Sequence, residues 1–442
     1  MSEIELKSNV IKTGREKGII LRFILASLVG VFMFFVPVTI NGASSIMIDH
    51  IVSWIRASVP GVVPYYALFV MAIGAIYPFY TKKWNASIVD ICFSILKVVG
   101  VVFGILYCLK VGPAWFFAPD IGPFLYEKLV ISVSLLVPIG SAFLALLVGY
   151  GLLEFIGTFC RPIMRPLWNT PGRSAIDAVA SFVGSYSLAL LITNRVYKEG
   201  KYTTKEAAII ATGFSTVSAT FMIIIAKTLD IMHLWNVYFW TTLVVTFIVT
   251  AITVRIPPLS RKPDTYVTEE GFPEPVYKEK MLERAWEDAL EVSKSAPSIM
   301  KNIAVNLKDG FIMTMGILPS IMSVGLIGIV LAKFTPIFDW ISYIFYPFTW
   351  LLQLPEADLA AKAASVGIAE MFLPSLLVVS APLVTKFVIA VVSVSSILFF
   401  SASIPCILST DIPLKVSELI ILYVQRTILT LLIITPIAYL LL

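Results

Sequence analysis

The chain has 442 residues, 58% of them hydrophobic and only 14% charged, with a formal net charge of +5. An average soluble domain carries roughly 25% charged residues, so this chain lacks the polar surface that a cytosolic enzyme, a secreted disulfide scaffold or a disordered protein needs. Its apolar runs are long and continuous rather than alternating, which also disfavours an outer-membrane barrel.

A membrane-spanning helix needs about 20 apolar residues. After a polar N-terminus carrying Lys7, Lys12, Arg15 and Lys17, apolar runs follow at Ile19–Ile40, Val62–Tyr80, Ile88–Leu109 and Leu129–Phe155. Lys82 and Lys83 separate the second run from the third, whereas the loop before the second carries only Arg56. The positive-inside rule then places the N-terminus and the Lys82 loop in the cytoplasm, and the fourth span runs inward. The first run is too long for a cleaved signal peptide and is expected to stay as a span.

A basic stretch with Arg161, Arg165 and Arg173, broken by Pro162, Pro166 and Pro171, reads as an interrupted connector, a short helix lying at the interface. Ser174–Asn194 is long enough to cross, yet Arg195, Lys198, Lys201 and Lys205 follow directly. Two basic flanks cannot lie on opposite sides of one crossing under the same rule, so this segment is expected to be a re-entrant hairpin. Its middle, Ser181 to Ser187, is rich in small and hydroxylated residues, and irregular backbone at that depth has to face protein or water.

Spans are expected at Ala207–Lys227 and Trp235–Arg255, then a cytoplasmic linker at 257–308. Within the linker, Leu282, Trp286, Ala289 and Leu290 recur at helical spacing and predict an amphipathic helix over 278–294. Beyond it come a span at Phe311–Lys333, an interrupted segment at Phe334–Pro355, and a second hairpin at Ala357–Val379. Spans at Leu383–Ile404 and Val416–Leu442 complete the chain. The fold class is all-α: a polytopic membrane protein with about nine transmembrane helices and two re-entrant hairpins. The N-terminus is expected inside and the C-terminus outside.

The order recurs. Pro138 and Pro319 lie 181 positions apart, as do Pro166 and Pro347, and Ser181 and Ser365 lie 184 apart. The first copy runs inward and the second outward, an inverted repeat of the kind that secondary transporters build around a midplane site. Four units follow: 1–128 with three spans, 129–256 as the first repeat, the linker 257–308, and 309–442 as the second, inverted repeat.

Ionisable groups inside spans are costly and therefore functional candidates. Glu370 follows the Ser365-Val-Gly367 break of the second hairpin and can bind a substrate amine or hydroxyl, hold Na⁺ or carry a proton. Asp177, in the first hairpin, is the other ion-coupling candidate. Each also has a structural alternative, as an ion-pair partner of Lys362 or Arg426. Substrate-binding candidates are Ser181, Gly184, Ser185 and Ser187 in the first hairpin, Ser215, Ser218 and Thr220 after it, Ser365 and Gly367 beside Glu370, and Ser393 and Ser396 in the following span. Against this stands the ordinary use of membrane hydroxyls, bonding back to their own helix or joining helices. Cys92, Cys108, Cys160 and Cys406 have no metal or redox spacing, and His50 and His233 are isolated. No metal site, cofactor, catalytic constellation or nucleic-acid patch is expected.

The block from Ser181 to Lys227, with its Thr193-Asn-Arg-Val-Tyr-Lys-Glu-Gly-Lys-Tyr-Thr203 and Gly213-Phe-Ser-Thr-Val-Ser-Ala-Thr-Phe221 runs, closely resembles the YjiH-type family of bacterial inner-membrane proteins. These carry a nucleoside-recognition, or Gate, domain. The element order is also similar to the core of concentrative nucleoside transporters. That resemblance implies a homotrimer in which a transport domain moves against a scaffold, and a nucleoside-like solute. In that family the second hairpin carries Asn-Glu-Phe, to which Ala369-Glu370-Met371 is similar, and Ser393 and Ser396 sit where polar substrate contacts do. The first hairpin departs: Gly184-Ser185-Tyr186 stands where those carriers have Gln-Thr-Glu. The resulting expectation is an ion-coupled transporter of a small polar solute, driven by H⁺ or Na⁺. A non-transporting Gate-type subunit of a larger complex and a channel stay open as alternatives.

Overall fold

The computed structural model describes every residue except Met1, Ser2, Asn41, Gly42, Lys83, Ala86, Ser87, Asp120, Gly184, Ser185, Ser218, Tyr277 and Lys278. The N-terminal region contains α1 (Glu3–Phe35), a two-stranded hairpin β1 (Pro37–Ile40) and β2 (Ala43–Ile46), α2 (Met47–Ser58), α3 (Val63–Tyr80) and α4 (Ile88–Leu109). The first apolar run therefore does not continue as helix to Ile40. Pro37 supplies no backbone donor to a continuing helix, and the β-branched Val38-Thr39-Ile40 run pairs antiparallel with Ala43–Ile46 instead.

A π-helical turn over Phe124–Val130 leads into α5 (Ile131–Val148). Then comes α6 (Leu152–Trp168), which runs through both Pro162 and Pro166. The expected interrupted connector is thus one 17-residue helix with apolar and basic faces. The first hairpin is α7 (Ala175–Val183) and α8 (Tyr186–Lys198). It is followed by α9 (Thr204–Gly213), α10 (Ala219–Thr228) and α11 (Trp235–Thr253). The linker holds α12 (Met281–Ser295), close to the expected amphipathic helix.

The last third opens with α13 (Ile299–Phe334), 36 residues long, and the short α14 (Ile337–Ser342) and α15 (Tyr346–Leu351). The second hairpin is α16 (Ala357–Val366) and α17 (Leu373–Leu377). α18 (Leu383–Ser395), α19 (Ser403–Leu408) and α20 (Val416–Leu441) end the chain. Among the described residues, seven helices are long and apolar enough to cross a membrane: α1, α3, α4, α5 with its π-helical turn, α11, α13 and α20. The two remaining expected crossings, 207–227 and 383–404, are not continuous. Each is a pair of half-helices separated by unwound backbone.

α13 is the central post, packed by α3, α4 and α5. Small residues allow the approach: a Cβ on Gly74 would lie 1.8 Å from the Met315 carbonyl oxygen, one on Gly100 2.0 Å from that of Pro319, and one on Gly310 1.9 Å from Ser141 Oγ. Membrane helices associate through such close packing because lipid gives no hydrophobic drive between them. The linker is tied to the other face of the chain. Glu274 accepts from the Gly172 and Arg173 backbone N–H groups at 2.8 and 3.0 Å and faces the Arg161 guanidinium at 3.5 Å. Burial pushes its carboxyl above the ordinary range, and those donors pull the other way.

Candidate functional site

Both interrupted spans unwind through a tight turn closed by a backbone hydrogen bond two residues apart. The Thr216 N–H donates to the Phe214 carbonyl at 2.8 Å, and the Leu398 N–H to the Ser396 carbonyl at 2.7 Å. Broken helices leave backbone groups without intrahelical partners, and each break finds its partners on the neighbouring hairpin. In the first half the Ser181 hydroxyl donates to the Thr216 carbonyl at 2.6 Å. In the second, the Phe400 and Ser401 N–H groups donate to the Ile368 and Ala369 carbonyls at 2.7 and 2.9 Å. Ile397, at the centre of the second break, has φ 65°, a left-handed conformation that a β-branched residue adopts only when its surroundings impose it.

These elements enclose a cavity of about 150 Å³. Tyr186 and Ser187 come from the first hairpin, Val217 from the first break, Glu370 and Met371 from the second hairpin, and Phe399 from the second break. The opposite wall is α5 with its π-helical turn, including Lys128, Ser132 and Leu136. Lys128 is exposed at the rim, whereas Glu370 is only 2% exposed. The Glu370 carboxylate accepts at Oε2 from the Phe372 and Leu373 N–H groups at 2.6 and 3.0 Å, which anchors it at the start of α17. The Tyr186 and Phe399 rings meet edge to face at 5.7 Å and join the first hairpin to the second break. Mostly apolar walls with a few fixed polar groups are what an organic solute site requires.

A second cavity, about 200 Å³, lies at the other end of α8. Arg195 pairs with Asp309 of α13 at 2.9 Å. The Asn194 side-chain oxygen accepts from the Asp411 N–H at 2.9 Å, and Lys198 stands 3.7 Å from the Asp411 carboxylate. Three separate segments, the end of α8, the first third of α13 and the loop before α20, meet here.

The expected site residues divide. Ser187 and Glu370 line the first cavity together. Ser181 fastens hairpin to break. Ser365 donates to the Phe338 and Lys362 carbonyls, Ser393 to Ile389 and Ser396 to Ser393, all backbone bonds outside the cavity lining. Ser215 is buried in the first break. A Cβ on Gly367 would lie 2.5 Å from the Tyr423 hydroxyl, which donates to the Ala364 carbonyl, so this glycine admits α20 against the second hairpin. Asp177 is fully buried: one carboxylate oxygen accepts from Thr193 at 2.6 Å and the other from Tyr202 at 2.7 Å. Gly184, Ser185 and Ser218 lie outside the described residues, and the Thr220 side chain does too. Neither expected partner of the acids is used as such: Lys362 pairs with Asp339, and Arg426 bonds Ser395 and Thr250.

Sequence reasoning missed Lys128, Tyr186, Val217 and Phe399. A lysine at the head of an apolar run carries a signal of its own, but apolar and aromatic cavity walls look like any core residue.

Comparison with known proteins agrees with this architecture. The family model for nucleoside recognition, Gate, matches residues 130–232. An uncharacterized protein of Alkalihalophilus pseudofirmus is 33% identical over 460 aligned positions, covering 99% of this chain and 97% of the relative. A solved structure of CNTnw in an outward-facing state, a concentrative nucleoside transporter, superposes with a TM-score of 0.50 at 13% identity. It covers 95% of this chain and 99% of the other, and the likeness is one of fold.

Proposed function

The chain belongs to the membrane-protein family that carries the nucleoside-recognition (Gate) domain, and from that premise we propose that it is a secondary transporter of a small polar organic solute, nucleoside-like in character. One observation carries the reading: two hairpins and two interrupted spans border a single cavity that contains a buried, backbone-anchored carboxylate. In this reading Glu370 and Ser187 bind the polar groups of the solute. Tyr186, Val217 and Phe399 pack against its ring, and Ser181 holds the neighbouring break, in which the buried Ser215 hydroxyl has no hydrogen-bond partner among the described residues. The hairpins then open the site to one side at a time, with the Arg195–Asp309 and Asn194–Asp411 contacts closing the cytoplasmic mouth. An H⁺ or Na⁺ gradient supplies the energy. The protein sits in the bacterial plasma membrane with its N-terminus inside and its C-terminus outside, as a homo-oligomer, trimeric by resemblance. Residues 129–256 and 309–442 act as inverted halves joined by the 257–308 linker, and the first 128 residues belong to the scaffold.

Purified protein in proteoliposomes tests this against a panel of labelled nucleosides and nucleobases, under imposed H⁺ or Na⁺ gradients. Saturable, gradient-dependent uptake is the expected result. Gradient-independent conductance in planar bilayers replaces the carrier reading with a channel. No uptake of any panel member, together with a stoichiometric co-purifying membrane protein, replaces it with a non-transporting subunit. A reporter fused after Lys198 is expected to read cytoplasmic.

A further inference from the structure

The two interrupted spans end on one buried cation. α9 ends at Gly213 and α18 at Ser395. A helix C-terminus leaves carbonyls without donors and carries the negative end of the macrodipole, roughly half an elementary charge. Arg426 of α20 is 1% exposed. Its Nε donates to the Ser395 carbonyl at 2.9 Å and its Nη1 to the Thr250 hydroxyl oxygen at 3.0 Å. That hydroxyl in turn lies 2.8 Å from the Gly213 carbonyl, its single proton shared with the Thr246 carbonyl at the same distance. One hydrogen-bonded chain therefore runs from the end of α18 through Arg426 and Thr250 to the end of α9. Gly213 has to be glycine for this approach, since a Cβ there would lie 2.4 Å from Thr250 Cγ2.

Among the described residues no carboxylate pairs with Arg426, and its Nη2 has no hydrogen-bond partner. A buried charge without a counter-ion is strongly unfavourable. Two helix C-termini at about −0.5 each offset roughly one positive charge. In transporters with discontinuous helices, half-helix C-termini and unwound carbonyls are where a coupling cation binds. We propose that Arg426 is a resident cation at this crossing: it occupies the role of a bound metal ion, fixes the two breaks relative to each other, and makes their joint geometry independent of Na⁺. Arg426 is a positioning residue and does not line the solute cavity. The inference rests on the transporter reading and narrows it to H⁺ rather than Na⁺ coupling; its test needs no substrate, so Na⁺-driven uptake overturns this inference and leaves the transporter reading standing, and absent uptake does the reverse.

The full-length protein in detergent is followed by thermal unfolding in sodium, potassium or choline chloride, with and without dilute guanidinium chloride. Wild type is expected to melt at one temperature in all three salts. Arg426→Ala is expected to melt several degrees lower and to regain part of the loss with guanidinium but not with choline. Arg426→Lys, which keeps the charge but cannot bridge both ends, is expected between the two. Arg426→Met keeps the side-chain length without the charge and is expected to melt as low as Arg426→Ala. A wild type stabilised by sodium over choline overturns the proposal, and so does an Arg426→Met protein that melts at or above wild type. If Arg426→Ala yields no folded protein, Arg426→Lys and Arg426→Met decide by the same criteria.

Discussion

The two hairpins each contain one buried acid, and the two are held differently. Asp177 sits well before the first tip, with one carboxylate oxygen on Thr193 and the other on Tyr202, so it pins the two arms of its hairpin and the loop beyond to one another. Glu370 sits at the second tip, bonded among the described residues to the backbone that follows it, and lines a cavity shared with the other hairpin. An acid whose oxygens are both held by hydroxyls at the base of a hairpin is a fastening. An acid held from one side at a tip is left facing whatever enters. Being ionisable within an apolar segment made both of them candidates, and only the identity of their donors separates them.

That contrast can be broken. The largest effect is expected from Glu370→Gln. The amide oxygen can still accept from Phe372 and Leu373, so melting should barely move. The charged bond to a solute is lost, about 1.5–3 kcal/mol, and uptake should fall by about 10- to 100-fold. Uptake at the wild-type rate for every transported solute would remove Glu370 from the mechanism. Asp177→Asn should do the reverse. One of its two hydroxyl bonds is replaced by an unsuitable donor pair, at about 1–3 kcal/mol of stability, while uptake per folded molecule stays unchanged. Lost uptake without a shift in melting would make the two acids alike.

Smaller changes sharpen the comparison. Gly367→Ala forces the Tyr423 hydroxyl away from the second hairpin. Overpacking of this kind costs about 1–3 kcal/mol, and hydrogen exchange should accelerate in α16 rather than in α7. Ser181→Ala deletes the side-chain bond between the first hairpin and its break. Such bonds in membrane proteins average about 0.6 kcal/mol, so a small drop in melting temperature is expected, with faster exchange at Thr216 and Val217. The second break is also held by backbone pairs at Ile368 and Ala369, which no side-chain deletion removes.

Much of the architecture was legible because its signals are local. Ser174–Asn194 reads as a hairpin from its two basic flanks, and the linker helix from the spacing of Leu282, Trp286 and Ala289. Reading through apolar length misleads at the same places where local pattern is silent. The 207–227 run contains Phe214 to Thr220 and the 383–404 run contains Ser395 and Ser396, yet hydroxyls in a span are common and do not announce a break. Pro162 and Pro166 suggest an interruption where there is none.

The sequence by itself determined that the chain lives in a membrane as helices, and singled out Asp177 and Glu370 as acids within apolar segments. Those follow from the transfer energies of residues taken a few at a time. The tertiary structure alone decided where two spans unwind, which serines spend their protons on their own helices, and which acid faces the cavity. An unwound segment persists in apolar surroundings only if its freed N–H and C=O groups find partners. Here those partners (Ser181, Ile368, Ala369, Thr250 and Arg426) come from other elements 31 to 37 residues away, beyond the reach of any local pattern.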